Sequence, residues 1–311
     1  MASLLDIKAR LSAVENIKKI TRAMQLVAAA KFKRAEDRAK TTRPYSEELD
    51  EVLGILAALA EAAEDEMSGD ATYELSFTEG EAPLIVEGQK LFEQPDDPEP
   101  KRPGVVLFTA DRGLCGAFNT KLIRTAQQFV NEHPAMECQL IPIGRKGYTY
   151  YKTKEIPIIH HEEGLSDKLE LDEIRRIAHT LIDLYVSDRV DALYFIYAQF
   201  KSAMVSDVKI EKFLKIPRTE GETKEQDDYI LEPERKAVYE TLLPLYATTK
   251  VFATLADSFA SEYGARMTAM QLATKNAEEM HNDLVILRNR LRQAVITREL
   301  AEIVGGAEAL T

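Results

Sequence analysis

Apolar residues near the amino terminus recur every three or four positions, as they do along one face of an α-helix. From Leu4 to Arg43 the chain holds neither glycine nor proline, which predicts about 60 Å of uninterrupted helix. Pro44 either kinks this helix or ends it. The apolar positions form a narrow stripe, with a slip of three residues after the fourth member: Leu4, Ile7, Leu11, Val14, Ile17, Ile20, Met24 and Val27.

A second helical pattern covers the carboxyl-terminal part of the chain. From Leu245 to Val304 it predicts about 90 Å of helix, and its apolar positions keep strict spacings of three and four, which is typical of a coiled coil. One narrow stripe at each end of the chain predicts that the two helices pair with each other, antiparallel. An ordinary bundle with one shared core is the alternative. The carboxyl-terminal stripe is Met270, Ala273, Ala277, Met280, Leu284, Leu287, Leu291 and Ala294.

Between the helices the period changes to short apolar runs rich in β-branched residues. Strands are predicted at 104–110, 138–144, 156–160 and 191–200, with a hairpin partner at 205–215. Helices are predicted at 119–131, 146–152 and 171–187. Strands that alternate with helices predict a mostly parallel sheet covered on both faces. The predicted fold is therefore α/β: a long antiparallel coiled coil of the terminal helices, with a small Rossmann-like α/β domain inserted between them.

Charge is distributed unevenly along the chain. Residues 1–45 hold eleven Lys and Arg against four Asp and Glu, whereas residues 46–100 hold seventeen Asp and Glu and a single lysine. We interpret most of the acidic part as a solvated, partly disordered loop. The predicted division is an amino-terminal helix (1–60), an acidic connector (61–103), an α/β domain (104–218), an acidic loop (219–240) and a carboxyl-terminal helix (241–311).

Composition excludes several classes of function. The net charge of −12 argues against nucleic acid as the main partner. No stretch approaches the roughly 20 apolar residues of a membrane-spanning helix, so any membrane association is expected through a partner. Two cysteines are too few for a disulfide framework and are expected to be reduced. A basic, alanine-rich start also occurs in mitochondrial transit peptides, and that alternative stays open.

No recognisable catalytic or cofactor site is present, so no cofactor, metal ion or catalytic residue is predicted. The chain lacks both G-x-x-x-x-G-K-[ST] and G-x-G-x-x-G after a strand. Cys115 follows the first predicted strand, where ligands often bind, but no histidine has the context of a catalytic base. His160 and His161 are adjacent, so on a strand they would point to opposite faces and make a poor metal pair.

Long motifs at both ends and in the centre resemble the gamma subunit family of F-type ATP synthases. They are IKARLSAVENIKKITRAMQLVAAAKFKRA (7–35), DRGLCGAFN (111–119), ARMTAMQLATKNAEEM (265–280) and RQAVITRELAEIVGGAEAL (292–310). The resemblance covers nearly the whole chain apart from loops. It departs from the family's usual pattern at Thr109-Ala110 and at Ala117. The two cysteines do not fit the cysteine pair of redox-regulated members.

The resemblance implies a non-catalytic rotor. In the family, the paired helices fill the axis of an alpha3-beta3 hexamer, and the α/β domain lies against the epsilon subunit and the ring of c subunits. Proton flow turns the ring, and the asymmetric shaft drives ATP synthesis at the beta sites. The residues expected by resemblance to contact the beta subunit are Lys18, Lys19, Arg22, Met24, Cys115, Arg292, Gln293 and Thr297.

The family match begins within seven residues of Met1, which leads us to expect a bacterial protein, peripheral on the cytoplasmic face of the inner membrane as part of the F1 sector. Two other classes of function remain open on the residues alone. One is an enzyme with a Rossmann-like centre and helical arms, and the other is a static coiled-coil adaptor. Heptads explain pairing in a rotor and in an adaptor equally well, so only the resemblance favours rotation.

Overall fold

The computed structural model describes residues 4–62, 72–78, 82–92, 98–165, 167–216, 232 and 234–308. Two very long helices enclose the other elements in the sequence, and the predicted α/β class is confirmed. The elements are α1 (Leu4–Ala62), β1 (Thr72–Leu75), β2 (Leu84–Glu87), α2 (Gly88–Leu91), β3 (Pro103–Phe108), α3 (Phe118–Glu132), β4 (Gln139–Ile143), α4 (Arg145–Tyr151), α5 (Leu171–Val186), β5 (Ala192–Phe200), β6 (Ser206–Leu214) and α6 (Arg235–Glu308).

The chain forms two compact units, and both long helices contribute to each. The terminal unit consists of Met1–Ala30 and Arg266–Thr311, and the sheet unit consists of Lys31–Ala265. The boundaries between the two units fall within α1 and α6 and not at the ends of these helices. Each helix continues across its boundary, but the residues that pack against it differ on the two sides. The five-segment division predicted from the sequence stays a prediction.

The main sheet has four strands in the order β4-β3-β5-β6. Strand β3 is parallel to both β4 and β5, and β6 pairs antiparallel with β5 as the predicted hairpin partner. The run 156–160, predicted as a strand, forms only an isolated bridge between Ile158 and Leu140. The sheet is thus mostly parallel, which requires helices on both faces.

Successive residues of the central strands enter two different cores. On β3, Val105 and Leu107 face α3, whereas Val106 and Phe108 enter a larger core formed with α5 and the long helices. The buried face of α3 has helical spacing, as does that of α5. Each fully buried side chain of this size contributes about 1.5–3 kcal/mol, so the sheet unit rests mainly on apolar burial.

The acidic connector is not simply a loop. Within it, β1 and β2 pair antiparallel and bury Tyr73, Leu75 and Val86 in the larger core. The loop interpretation of the acidic residues 46–100 is therefore wrong for 46–62, which continue α1, and for the hairpin of β1 and β2, where alternation of charged and apolar residues places the carboxylates on the solvent side. Residues 63–71, 79–81 and 93–97 of the connector, and residues 219–231 and 233 of the predicted acidic loop, lie outside the described residues.

Both long helices pass through a proline. Helix α1 continues beyond Pro44 to Ala62, and α6 begins at Arg235, ten residues before the predicted start, and contains Pro244. In the sheet unit the two helices run antiparallel. Arg43 bonds Asp257, and further along α1 the main-chain carbonyl of Leu56 accepts from Tyr239. Tertiary packing on both helices therefore overrides the local cost of each proline.

The helices also run antiparallel in the terminal unit, where the predicted stripe is wrong in part. Lys18 contacts Glu278, and Thr21 contacts Thr274. Beyond Val14 the buried face keeps strict spacing instead of slipping by three, because a slip would force local overwinding of the helix. The inward positions of α1 are Ile7, Leu11, Val14, Lys18, Thr21, Gln25 and Ala28. On α6 the predicted Met280, Leu287 and Ala294 are exposed.

Candidate partner-contact site

Seven of the eight predicted contact residues belong to the terminal unit, and one belongs to the sheet unit. The seven are Lys18, Lys19, Arg22, Met24, Arg292, Gln293 and Thr297, and the eighth is Cys115. No residue described by the structure tests the contacts themselves, so each assignment to the beta subunit stays a prediction.

The basic residues of α1 are partly engaged within the chain. The Nζ atom of Lys18 lies 2.6 Å from Glu278 on α6, and that of Lys19 lies 3.0 Å from Glu15 one turn earlier. These hydrogen bonds lower the pKa of Glu278 and of Glu15. Lys18 is half-buried and Lys19 is exposed, so Lys19 presents its charge to solvent more completely.

The other two predicted residues of α1 differ in exposure. Arg22 is exposed, and its Nη1 atom donates to Gln25 Oε1 at 3.1 Å along the same helix. Met24 is half-buried beside the seam, by which we mean the surface along which α1 and α6 contact each other in the terminal unit. A flexible, polarisable methionine at the margin of a seam can pack against a partner and against its own helix pair.

The predicted residues of α6 form a single exposed stretch. Arg292, Gln293 and Thr297 are all exposed, and Gln293 and Thr297 are four residues apart, so they share one helix face. Apolar side chains continue this face towards the helix end, with spacings of four and three: Ile296, Leu300 and Ile303. The result is a mixed polar and apolar surface, which is typical of protein interfaces.

Sequence reasoning missed a strip of apolar residues that α1 turns outward. Ile17, Ile20 and Val27 are 51%, 59% and 58% exposed, although they were predicted to lie in the seam. The irregular spacing of apolar residues after Val14 could have indicated this orientation. If spacings of four and three continue strictly from Val14, the inward positions are Lys18 and Thr21. An exposed apolar strip of this kind marks a contact surface.

In the sheet unit, the loop after β3 is fixed by its first acidic residue. The Asp111 carboxylate accepts hydrogen bonds from the main-chain N–H groups of Arg145 at 2.8 Å and Gly164 at 2.9 Å. Gly144 has a φ of 108°, and a Cβ atom there would lie 1.9 Å from the carbonyl oxygen of Thr109. These contacts hold three loops together at the carboxyl ends of β3 and β4.

Cys115 points into the protein. Its side chain is 1% exposed, and its Sγ atom accepts from Asn119 Nδ2 at 3.1 Å. The preceding residue, Leu114, is 62% exposed and has a φ of 61°, a conformation that is unfavourable for leucine. The predicted contact at Cys115 does not fit its buried side chain, whereas Leu114 is a large apolar side chain of this loop that faces solvent.

The described residues offer little for catalysis or metal binding. Burial raises the pKa of the Cys138 thiol, which favours its unreactive form. The His160 ring lies 2.9 Å from Glu162, which also pairs with Arg176, and these hydrogen bonds lower the pKa of Glu162 to about 2 despite its partial burial. In the described ranges, no group of His, Cys, Asp and Glu residues is arranged to hold a metal ion, and no helix is long and apolar enough to cross a membrane.

Three comparisons place the chain among known proteins. A family model described as ATP synthase matches residues 3–310. The ATP synthase gamma chain of Geobacter sp. is 38% identical and that of Moorella thermoacetica is also 38% identical, each over all of this chain and 99% or 100% of the relative. The gamma chain of Sorangium cellulosum is 36% identical over all of this chain.

Solved structures share the fold. A chain of the Euglena gracilis mitochondrial ATP synthase (OSCP/F1/c-ring) superposes with a TM-score of 0.66 at 16% identity, over 99% of this chain and 94% of that one. A chain of the Tetrahymena thermophila mitochondrial ATP synthase (central stalk/c-ring) gives a TM-score of 0.56 at 23% identity, over 82% of this chain and 99% of that one.

Proposed function

The chain belongs to the ATP synthase gamma family, and from this premise we propose that it is the central rotor shaft of the F1 sector of a proton-translocating F-type ATP synthase. The observation that carries the proposal is full-length similarity to gamma chains. Its antiparallel helix pair and inserted α/β sheet are consistent with that similarity. The chain itself catalyses no reaction, and ATP forms at sites on the beta subunits.

Coupling by a shaft is a matter of differential contacts. The partners are the alpha3-beta3 hexamer, the epsilon subunit and the c-ring, whose rotation is driven by proton flow. A shaft without three-fold symmetry presents different surfaces to three beta subunits at once, and each surface stabilises a different beta conformation. The unequal sides of the helix pair suit this role, because one side is apolar at Ile17 and Ile20 and another carries Lys19 and Arg22.

We assign the beta-subunit contacts to these surfaces of the terminal unit and to the loop after β3. Arg292 and Gln293 on α6 present groups suited to a beta loop, since a guanidinium forms bidentate bonds with carboxylates. The other residues that we assign to the surface in the terminal unit are Thr297, Lys18, Lys19, Arg22 and Met24. In the loop after β3, Leu114 replaces Cys115 as the side chain that would reach a partner, because Cys115 is buried.

The F1 sector is a peripheral part of a membrane-associated complex, and this chain would be held there through its partners. We place it on the cytoplasmic face of a bacterial inner membrane. The bacterial gamma chains among its relatives support this location.

A reversible cross-link between this chain and the beta subunit tests rotation. Gln293→Cys would be combined with a cysteine in the adjacent beta loop of the purified complex, and ATP hydrolysis would be measured after oxidation and again after reduction. We expect oxidation to abolish turnover and reduction to restore it. The matched Gln293→Ser complex should keep its activity under both conditions, since Cys115 and Cys138 are buried.

Full turnover in a fully cross-linked complex would contradict the rotor and favour a static adaptor. A second test is purification of the native chain together with the proteins bound to it. Recovery of the chain without two related P-loop subunits would contradict the proposed partners. Three copies of each such subunit for every copy of this chain is the expected result.

A further inference from the structure

A cluster of charged side chains lies between the long helices and the edge of the main sheet, inside the sheet unit. Lys250 of α6 is only 7% exposed. Its Nζ atom lies 2.7 Å from Asp50 Oδ2 on α1 and 2.7 Å from Glu211 Oε1 on β6. One cation thus connects three elements that are far apart in the sequence.

A second ion pair adjoins the first. Arg43 Nη2 on α1 donates to Asp257 Oδ1 on α6 at 2.8 Å and to the carbonyl oxygen of Phe200, the last residue of β5, at 2.7 Å. Tyr197 on β5 donates from its hydroxyl to Glu211 at 2.8 Å. We call the six side chains that share these contacts the Lys250 cluster, and all six line a cavity of about 80 Å³: Arg43, Asp50, Tyr197, Glu211, Lys250 and Asp257.

The charges of the cluster depend on one another. Burial alone would raise the pKa of Glu211, but Lys250, together with Tyr197 and Lys209, outweighs that effect and lowers the pKa. Burial likewise opposes the charge of Lys250, but Glu211 and Asp50 outweigh it and raise the pKa of the lysine. Removing one member would therefore leave an uncompensated charge in a buried position.

Buried ion pairs are a poor way to gain stability, because apolar residues of similar size often stabilise a protein equally well or better. What a buried ion pair adds is a fixed relative orientation of the elements that it joins. Apolar contacts are non-directional, whereas a lysine bonded to two carboxylates resists sliding or turning of one element against another. Here the bonded elements are the helix pair on one side and the strands β5 and β6 on the other.

We propose that the Lys250 cluster is a joint through which torque passes between the main sheet and the helix pair. This inference rests on the proposed function, since torque arises only if the chain rotates. It goes beyond that function by naming the residues that transmit the load inside the chain. Lys250, Asp50 and Glu211 act as positioning residues and contact no nucleotide.

The test separates catalysis from coupling in the whole complex. The triple variant Asp50→Asn, Lys250→Met and Glu211→Gln removes the charges together, so that no single charge is stranded. Complexes in sealed vesicles would be assayed for ATP hydrolysis by phosphate release and for ion pumping by a voltage-sensitive dye. We expect hydrolysis to persist while the ions pumped per ATP fall about five-fold, the factor that about 1 kcal/mol represents.

Two matched variants give the result its meaning. Lys250→Arg keeps a cation at this position, so this variant should retain most of the ions pumped per ATP in the wild type. Lys90→Met removes the same type of residue from another ion pair, with Asp188 at 2.9 Å, which does not join the helix pair to the main sheet. It should leave the ratio unchanged.

The proposal is overturned if the triple variant pumps as many ions per ATP as the wild type. It is also overturned if pumping and hydrolysis fall together in proportion to the amount of assembled complex, because that pattern indicates a purely structural role. A wild-type complex that hydrolyses ATP without pumping would instead contradict the proposed function itself, so the two failures are distinguishable.

Discussion

The same two helices pair in both units of the molecule, but what lies between them differs. In the sheet unit, α1 contributes Leu49, Leu53 and Leu56 to a core that also contains Val251 and Leu255 of α6. In the terminal unit, the seam contains half-buried Lys18 and Thr21 of α1 and half-buried Thr274 of α6. Large apolar side chains therefore surround the helices in the sheet unit, with the Lys250 cluster beside them, whereas half-buried polar side chains enter the contact between the helices in the terminal unit.

This difference indicates two ways of fixing an antiparallel pair. Where the helices also pack on a sheet, large apolar cores stabilise them, and a buried ion-pair cluster fixes their orientation relative to the sheet. Where the pair has only itself, a polar layer in the seam specifies the register at some cost in stability. The apolar residues displaced from that seam remain on the surface, where a partner can bury them.

The largest expected effect comes from a core position of the sheet unit. Leu53 of α1 is fully buried, and Leu53→Ala should lower the free energy of unfolding by about 2–5 kcal/mol through lost burial and the cavity it leaves. Leu26→Ala, on the exposed side of the same helix in the terminal unit, is the matched control and should change it by less than about 0.5 kcal/mol. Denaturant unfolding of the full chain measures both, and equal losses would contradict the burial of Leu53 in the core of the sheet unit.

The next effect concerns the buried charges of the sheet unit. Burial raises the pKa of Asp257 to about 6, although Arg43 opposes the shift. The folded state therefore binds this proton more tightly than the unfolded state. Its stabilising contribution is complete below the unfolded pKa of 3.8 and is lost as the pH rises through about 6.

Asp257→Asn isolates this titration, because asparagine stays neutral. The free energy of unfolding of the wild type, minus that of Asp257→Asn, should fall by up to about 3 kcal/mol between pH 4 and pH 7. The charged or titratable groups that face Asp257 are Arg43 of α1, Tyr197 of β5 and Lys209 of β6. A difference that rises with pH would show instead that Arg43 outweighs burial and that the pKa of Asp257 is lowered on folding.

The sequence predicted the elements of this fold well, because most of them depend on local pattern. The strands β3, β4, β5 and β6 and the helices α3 and α5 lie within a few residues of their predicted positions. The acidic hairpin of β1 and β2 was missed, since its two strands are four residues each and carry carboxylates. Short strands depend on the core they cover, which no local pattern reveals.

The contact surface was predictable only in part. Exposed charged positions such as Lys19 and Arg292 follow from the resemblance, and their exposure agrees with a role in contacts. The orientation of Ile17 and Ile20 could not be predicted by hydrophobicity, because the seam is chosen by helix geometry and by both partners at once. The burial of Cys115 likewise depends on the packing of α3 against the sheet and not on its own motif.

The smallest effect tests the polar seam of the terminal unit directly. The hydroxyl oxygens of Thr21 and Thr274 lie 2.9 Å apart, and each also lies near a main-chain carbonyl of its own helix. Valine has the same shape without the hydroxyl, so a double-mutant cycle of Thr21→Val and Thr274→Val isolates their contact. We expect a coupling energy of about 1 kcal/mol or less in denaturant unfolding of the full chain, because each hydroxyl keeps its carbonyl when the other is removed.

The matched control combines Thr21→Val with Thr297→Val, an exposed position far along α6 from Thr274, and its coupling energy should be zero within error. A coupling energy of zero for Thr21 and Thr274 as well would mean that the two hydroxyls do not interact across the seam. In that case the register of the terminal unit would rest on its apolar contacts and on the ion pair between Lys18 and Glu278. The contact between Thr21 and Thr274 would then no longer distinguish the seam of the terminal unit from the helix contacts of the sheet unit.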